Sequence, residues 1–332
     1  MINLKFLMKR LKTVNYQGFI ESAKRISKVN KKPWPVNLAD CLACTAKYGS
    51  GYIDYETFEM YNMGPKDREN ILTISKNNSI VKMLNDLSYA PYFEDKAVFN
   101  EKFNKYLKRG WMLLKEDNFE DFEKFISDKE KIIAKPLDQC CGRGIGIYYM
   151  KDYEPRKLFD ELMANKAYLI EEVVVQNDVM NSLSASSVNT IRIITILKND
   201  SVKLVAGCVR MSRDGNVVDN FNSGGLSGIL DIKTGKIVTD GYDKFRSTFK
   251  VHPDTGTQFI GFQVPKWDEV TALVTEAAKV VPQIGYVGWD VAISKDYGPL
   301  LIEGNSYPGQ DVTQYPKLNL GTYSVMMDAI NN

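Results

Sequence analysis

The residues able to do chemistry gather near the end of this 332-residue chain, in GWDVAISKDYGPLLIEGNSYPG (288–309). Asp290 and Glu303 stand in two apolar, strand-forming runs, and Asn305 follows two positions on. A carboxylate in an apolar strand is costly unless something compensates it. KDYG (295–298) reads as a tight turn. With Lys295 and Gly298 flanking that turn, Asp290 falls opposite Glu303, and Asn305 shares their face. Carboxylates about 4.5–5.5 Å apart at the Cβ atoms share a proton or bind a cation. Two acids and an amide oxygen make a hard, oxygen-only set suited to Mg2+, which keeps waters and bridges to phosphate. The alternative is a surface hairpin with solvated acids, against which Trp289, Val291, Leu301 and Ile302 argue.

A Mg2+ site of this kind calls for phosphate-binding groups elsewhere. AKPLDQCCGRGIG supplies Lys135 at the end of a short strand, seven residues before Gly142-Arg143-Gly144-Ile145-Gly146. Alternating glycines let backbone N–H groups approach phosphate oxygens, while the lysine adds a point charge. The spacing matches neither the G-x-x-x-x-G-K-[ST] loop nor a dinucleotide fingerprint, and an ordinary turn is the plain alternative. Lys96, in EDKAVF, is a second candidate cation. In LIEEVVVQND, main-chain groups around Glu172 and Val173 are placed for an adenine edge and Asp178 for a ribose; a buried strand is the competing reading.

These residues need elements to hold them. Residues 1–89 read as helical, with apolar positions recurring every three or four residues. The expected body has a small lobe over 90–178, bearing the glycine loop, and a large lobe over 179–332, bearing the acidic hairpin. AYLIEEVVVQ, SVNTIRIITILKND and SVKLVAGCVRMSRDG read as strands, the last two joined at KND. WDEVTALVTEAAKVV reads as a helix capped by Asp268. The fold class expected is α+β.

Composition narrows the function. With 44% hydrophobic and 25% charged residues and a net charge of +2, the chain as a whole does not read as a nucleic-acid binder. No apolar stretch nears the roughly 18–20 residues that span a bilayer. Lys5, Lys9, Arg10 and Lys12 interrupt any signal-like apolar centre, so a cytoplasmic location is expected. Residues 1–32 hold nine Lys/Arg and one acid, which makes either a solvated basic face or a peripheral contact with anionic lipid at the inner face of the membrane. Five cysteines, an odd number, fit reduced thiols. Cys41 and Cys44 have redox or zinc spacing but no second pair, and read as a buried helical pair. Cys140 and Cys141 lie in the glycine loop and read as incidental. The one histidine, His252, makes His-rich metal sites and a His-based triad poor hypotheses.

The order of these motifs, from Lys96 through KP and G-x-G-x-G to EE and D…E-x-N-x-x-P-G, resembles the ATP-grasp superfamily. SVNTIRIIT (187–195), VDNFNSGG (218–225) and GWDVAI…LLIEGNSYPG bring it closest to the sugar-transfer-associated ATP-grasp proteins of polysaccharide clusters. The resemblance covers about residues 90–315. It implies two α+β lobes clasping ATP, with Lys96 and Lys135 on phosphates and the Gly142–Gly146 loop, including Arg143 and Gly144, closing over them. Glu171 and the Glu172–Val173 backbone would meet adenine, and Asp290, Glu303 and Asn305 would hold Mg2+. Related ligases carry an arginine two residues before the first metal acid. Here that position is Gly288, so Arg192 and Arg210 are the candidate replacements, a structural salt bridge being the alternative for each. Asn189, Asn220, Gly224 and Gly225 are candidates for the acceptor side. The implied activity is an ADP-forming ligation of a small-molecule or glycan carboxylate, such as a uronic acid, to an amine, alongside polysaccharide biosynthesis enzymes. A kinase acting on a hydroxyl and a nucleotide-binding scaffold for glycosyltransferases are the alternatives.

Overall fold

The computed structural model describes residues 15–137, 144–216, 219, 221–315 and 321–332. They fall into two compact units: one reaches Ser79 and takes in Gln314–Ser324, the other comprises Ile80–Thr313 and Val325–Asn332. The expected glycine-loop positions Gly142 and Arg143, with Cys140 and Cys141, lie outside the described residues. So do Asn220 and the basic residues before Asn15.

The first unit is helical. Helix Tyr16–Asn30 starts where the Asn15 side chain accepts from Gly18 N, and ends at Lys31 in a left-handed cap. Its Phe19, Ala23 and Ile26 recur at helical spacing and are buried. Helix Trp34–Tyr48 turns Cys41, Cys44 and Tyr48 into the same core, which Tyr55, Phe58 and Met60 complete. The two cysteines are therefore packing residues, and burial pushes the Cys41 thiol up to about 12. Arg68 forks onto Asp40 at 2.7 and 2.8 Å, and Tyr55 donates to the same carboxylate at 2.5 Å.

The second unit contains two antiparallel sheets. Strands β1 (Trp111–Leu113), β2 (Lys131–Lys135), β3 (Gly146–Tyr149) and β4 (Leu169–Glu172) form the smaller one, in the order β1-β4-β2-β3. Alternation along β2 sends Ile132 and Ala134 against helices Phe119–Ile126 and Pro155–Ala164, leaving Ile133 and Lys135 on the opposite face. The strand expected over 167–176 is shorter than the sequence suggests. After Glu172 the chain leaves this sheet and crosses to the other, where Asn177 N donates to Ile293 O and Lys295 N to Val175 O, both at 2.8 Å.

The larger sheet takes β5 (Thr190–Lys198), β6 (Ser201–Met211), β7 (Leu226–Asp231), β8 (Lys236–Ile237), β9 (Gly241–Tyr242), β10 (Thr248–Phe249), β11 (Tyr286–Ser294) and β12 (Gly298–Asn305). Its order is β10-β9-β7-β6-β5-β11-β12, with β8 beside β7. Asn199 and Asp200, both at positive φ, make the tight β5–β6 turn. One face packs Ile191, Ile193, Val209, Trp289, Val291 and Leu301 against helix Trp267–Ala277 and the aromatics Phe93 and Phe103. That helix differs from expectation at its start: Lys266 holds the cap position with no side-chain bond, and Asp268 lies in the first turn. Charge there suits the positive helix end, so the acid is useful without capping.

The opposite face is polar. Cross-strand partners place Glu303, Asp290, Arg192 and Cys208 in one row across β12, β11, β5 and β6. Thr190, Arg210, Ser227 and Tyr242 make the next row.

Candidate active site on the polar face of the larger sheet

Asp290 does pair with Glu303, but by a different route from the one the turn suggests. Ser294 faces Gly298, which makes the turn one residue longer than one flanked by Lys295 and Gly298, and the register then shifts between Asp290 and Val291. Had the turn register continued, Glu303 would oppose Trp289 and point into the apolar core, because a one-residue slip reverses every side chain. A β-bulge at Ile302 restores it to the polar face. Gly304 occupies the place opposite Trp289, where even a Cβ would lie 3.0 Å from Trp289 and Phe93 ring atoms.

Asp290 is fully buried and heavily bonded. Arg192 donates through Nε to Oδ1 and through Nη2 to Oδ2 at 2.9 Å, and Arg210 Nη2 reaches Oδ2 at 2.8 Å. Burial works against its charge, yet Arg192 and Arg210 hold it well below the usual carboxylate range. Glu303 behaves oppositely. Loss of hydration at its carboxylate, then the charge of Asp290 and the hydrogen bond to it, raise it above that range. Of the two carboxyls, Asp290 is thus the more readily ionised. Glu303 and Asn305 are the solvent-reachable members. Asn305 Nδ2 lies 3.4 Å from both Gly288 O and Glu303 Oε1, and its Oδ1 has no partner among the described residues.

This set fits a hard divalent cation. The two carboxylates face each other across the hairpin, and every donor is oxygen. Asp290 Oδ2 already accepts two guanidinium bonds, so its contribution would come from Oδ1, with Glu303 and Asn305 Oδ1 completing the protein ligands. Among the described residues no group of three or more His, Cys, Asp or Glu is placed to hold a metal ion, so the candidate set rests on two acids and an amide.

Close packing accounts for Gly288. A Cβ built there would sit 3.4 Å from Arg192 Cδ and 2.8 Å from Pro308 Cβ. A side chain there would meet Pro308 first and Ile194 Cδ1, at 3.2 Å, next; Arg192 lies alongside at ordinary contact distance, its guanidinium on the acid two residues on. Both the salt-bridge role and a cationic presence beside the acids hold for Arg192 and Arg210. Arg210 is further tied to Thr190 Oγ1 at 2.7 and 3.0 Å and lies 3.7 Å from Asp219, which itself accepts from Thr190 N at 3.0 Å.

On the small sheet, Glu171 is diagonal to Lys135 on one face. Lys135 Nζ donates to its Oε2, Arg109 Nη2 to Oε1 at 2.9 Å and Asn100 Nδ2 to Oε1 at 2.7 Å. Burial opposes the charge of Glu171, but Arg109 and Lys135 hold it well below its ordinary value. This corrects the adenine assignment for the Glu171 side chain, which is committed to two cations and an amide. Glu172 accepts from Gly110 N at 3.1 Å and Tyr297 OH at 3.3 Å, while Val173 begins the crossing segment. Lys96 Nζ donates to Leu137 O at 3.3 Å, which sets it beside the end of β2. Gly146 opens β3, and Gly144 has a left-handed φ of 69°. Asp178 is exposed and pairs with Lys295 at 3.2 Å, away from the Glu171 cluster's bonds.

On the acceptor side, Asn189 needs correction. It is fully buried and its amide donates to Met180 O and Ser184 O at 2.8 and 2.7 Å, so it braces the chain and cannot touch a substrate. Gly224, with φ 101°, is partly exposed beside the buried Gly225. Sequence reasoning missed Arg109, Asn100, Thr190 and Asp219. The last two lie inside motifs quoted above; Arg109 gave no signal, since its partners are 62 and 192 positions away.

Two antiparallel sheets presenting a lysine-bearing strand and a paired-acid hairpin define an ATP-grasp fold. Residues 75–319 match the model of the family described as sugar-transfer associated ATP-grasp. The chain belongs to that family. No curated protein matches it significantly in sequence. Among solved structures it is similar to a D-alanine–D-alanine ligase from Bacillus anthracis, at 14% identity and TM-score 0.45, over 77% of this chain and 74% of that one. It is similar to D-alanyl-alanine synthetase A from Vibrio cholerae, at 10% identity and TM-score 0.44, over 73% of this chain and 64% of that one. It is also similar to an N5-carboxyaminoimidazole synthase from Aspergillus clavatus in complex with ADP and 5-aminoimidazole ribonucleotide, at 11% identity and TM-score 0.46, over 78% and 58% of the two chains. The chain thus spans less than two thirds of the last two proteins' lengths. Among the described residues no helix is long and apolar enough to cross a membrane.

Proposed function

We propose that the protein is an ATP- and Mg2+-dependent ligase that joins a carboxylate to an amine through an acyl phosphate. The observation that carries this reading is the pairing of acids with arginines on the polar face. A hydroxyl acceptor needs a base to take its proton. Asp219 and Asp290 are both tied to Arg210, and Glu303 belongs to the cation set, so none is free for that task. A carboxylate acceptor is already an anion and needs no base; half-buried Arg210 is the cation beside the acids that could meet it, Arg192 being committed to Asp290. This favours ligation over the kinase alternative.

In the reaction, a carboxylate oxygen attacks the γ-phosphorus of ATP as the bond to ADP breaks. The amine then attacks the acyl carbon, phosphate leaves with the C–O bonding electrons, and the nitrogen gives up its proton. Lys135 and Lys96 hold phosphate oxygens, Glu171 keeping Lys135 aimed from the sheet. Half-exposed Ile133 and exposed Ile147, opposed on β2 and β3, offer an apolar bed for the base. Glu303, Asn305 and Asp290 Oδ1 would hold Mg2+, which would supply charge neutralisation to the phosphates.

The family description points to a glycan context, so a uronic acid of a surface polysaccharide or its precursor is the proposed carboxylate. Exposed Lys24, Arg25, Lys28, Lys31 and Lys32 suit contact with anionic lipid carrying such a precursor; flotation with anionic liposomes that failed would remove that part. The main test is phosphate release from ATP over a panel of uronic acids and amines. ADP and phosphate that require both partners, and vanish in Glu303→Gln, support the ligase. Phosphate found on a hydroxyl acceptor, with none released, would replace it by the kinase.

A further inference from the structure

Arg109 lies just before β1 and belongs to neither of the constellations that define the fold, yet it touches both. Its Nη2 donates to Glu171 Oε1 at 2.9 Å, and its Nη1 donates to Leu301 O at 2.6 Å. Both side chains of the ion pair are 2% exposed. Glu171 is the carboxylate that holds Lys135. Leu301 is the last β12 residue in the turn register, immediately before the bulge that carries Glu303 to the polar face. One planar fork thus binds the phosphate lysine's anchor on one side and the hinge point of the metal hairpin on the other.

We propose that Arg109 is a positioning residue that fixes the phosphate-binding lysine and the cation-binding glutamate relative to each other. The inference rests on the nucleotide reading above. A lysine at 109 keeps the charge against Glu171 but cannot span both partners. Lys135 and Glu303 then lose their common brace, so Mg2+ and nucleotide should weaken together. Partners one shell out from a metal site typically change its affinity about 10- to 100-fold.

The test measures ATP binding by calorimetry across a Mg2+ titration for the full chain, Arg109→Lys and Arg68→Lys. Arg68 forks onto Asp40 in the other unit and serves as a control for loss of a bidentate pair. Both variants should melt lower than wild type. Only Arg109→Lys should raise the ATP Kd and the half-saturating Mg2+ concentration, by about tenfold or more. Arg109→Lys that melts lower yet binds both with wild-type affinity overturns the inference and leaves a structural brace. Wild type that fails to bind Mg·ATP at all overturns the nucleotide reading and this inference with it. Should Arg109→Lys not fold, Asn100→Ala removes another donor to Glu171 Oε1. A raised ATP Kd then supports the anchor, and an unchanged one overturns it.

Discussion

The two acids of the hairpin should respond very differently to neutralisation, although a metal site would need both. Asp290→Asn keeps the shape but removes the charge that Arg192 and Arg210 share. Arg210 retains Thr190 and the nearby Asp219, whereas the Arg192 side chain hydrogen-bonds to no other described residue and keeps only the charge of Glu303 nearby. Leaving a buried guanidinium without its counterion costs about 3–5 kcal/mol. In a unit of about 240 residues, each kcal/mol shifts the melting temperature about 2–4 °C, which puts the loss near 6–20 °C. Glu303→Gln replaces an exposed group whose charge Asp290 already disfavours, and the new amide can donate to Asp290. Its cost should stay below about 1 kcal/mol, or roughly 4 °C. The assay is thermal melting of both variants at neutral pH with EDTA and no nucleotide. Melting temperatures within about 2 °C of each other, or a lower one for Glu303→Gln, would refute the assignment of Asp290 as the arginine-held anion. The asymmetry also decides which variant reports on chemistry: inactivity of Asp290→Asn confounds stability with catalysis, and Glu303→Gln does not.

Glu171, held below its ordinary value by Arg109 and Lys135, stabilises the fold most at pH well above the unfolded glutamate value of about 4.3. The stability gap between wild type and Glu171→Gln should therefore be full at pH 7 and shrink as denaturation is repeated at progressively lower pH. Lys135→Ala leaves Glu171 with Arg109 and Asn100, so its melting temperature should change little while the ATP Kd rises about tenfold or more; an unchanged Kd by calorimetry would remove Lys135 from the site. Cys41 and Cys44, buried and pushed up, should resist alkylation by iodoacetamide at pH 8 until denaturant unfolds the helical unit, as mass spectrometry of timed samples would show.

What the sequence made legible was whatever is encoded locally. Period-3.6 burial of Phe19, Ala23 and Ile26 identified a helix. β-Branched runs identified β5 and β6, and the polar Asn199–Asp200 turn joined them. The acid pair was legible because hairpin partners lie close in sequence. Less legible was anything set by distant packing. The strand after Leu169 stops at Glu172 because the chain must cross from one sheet to the other, which no local preference announces. Asn189 looked like an acceptor residue because it is polar beside a strand. Its burial follows from carbonyls at Met180 and Ser184, whose direction is a property of the folded loop. Glu171 looked free for a ligand for the same reason: Arg109 and Asn100 reach it from 62 and 71 positions away.

The hairpin itself shows why a correct pairing can follow from an incomplete argument. The turn is one residue longer than its sequence suggested, and that alone would have buried Glu303 under Trp289. A carboxylate there would face Phe93 and Trp289 with no partner, at a cost of several kcal/mol. The bulge at Ile302 and the glycine at 304 favour the other register: the bulge advances the strand by one residue, and a Cβ at 304 would be crowded by Trp289 and Phe93 ring atoms at 3.0 Å. Gly288 follows the same logic across the sheet, because a Cβ there would come within 2.8 Å of Pro308 Cβ. The paired acids and their arginines are thus positioned by two small residues that carry no chemistry, and it is through Gly288 and Gly304 that the apolar core dictates the geometry of the polar face.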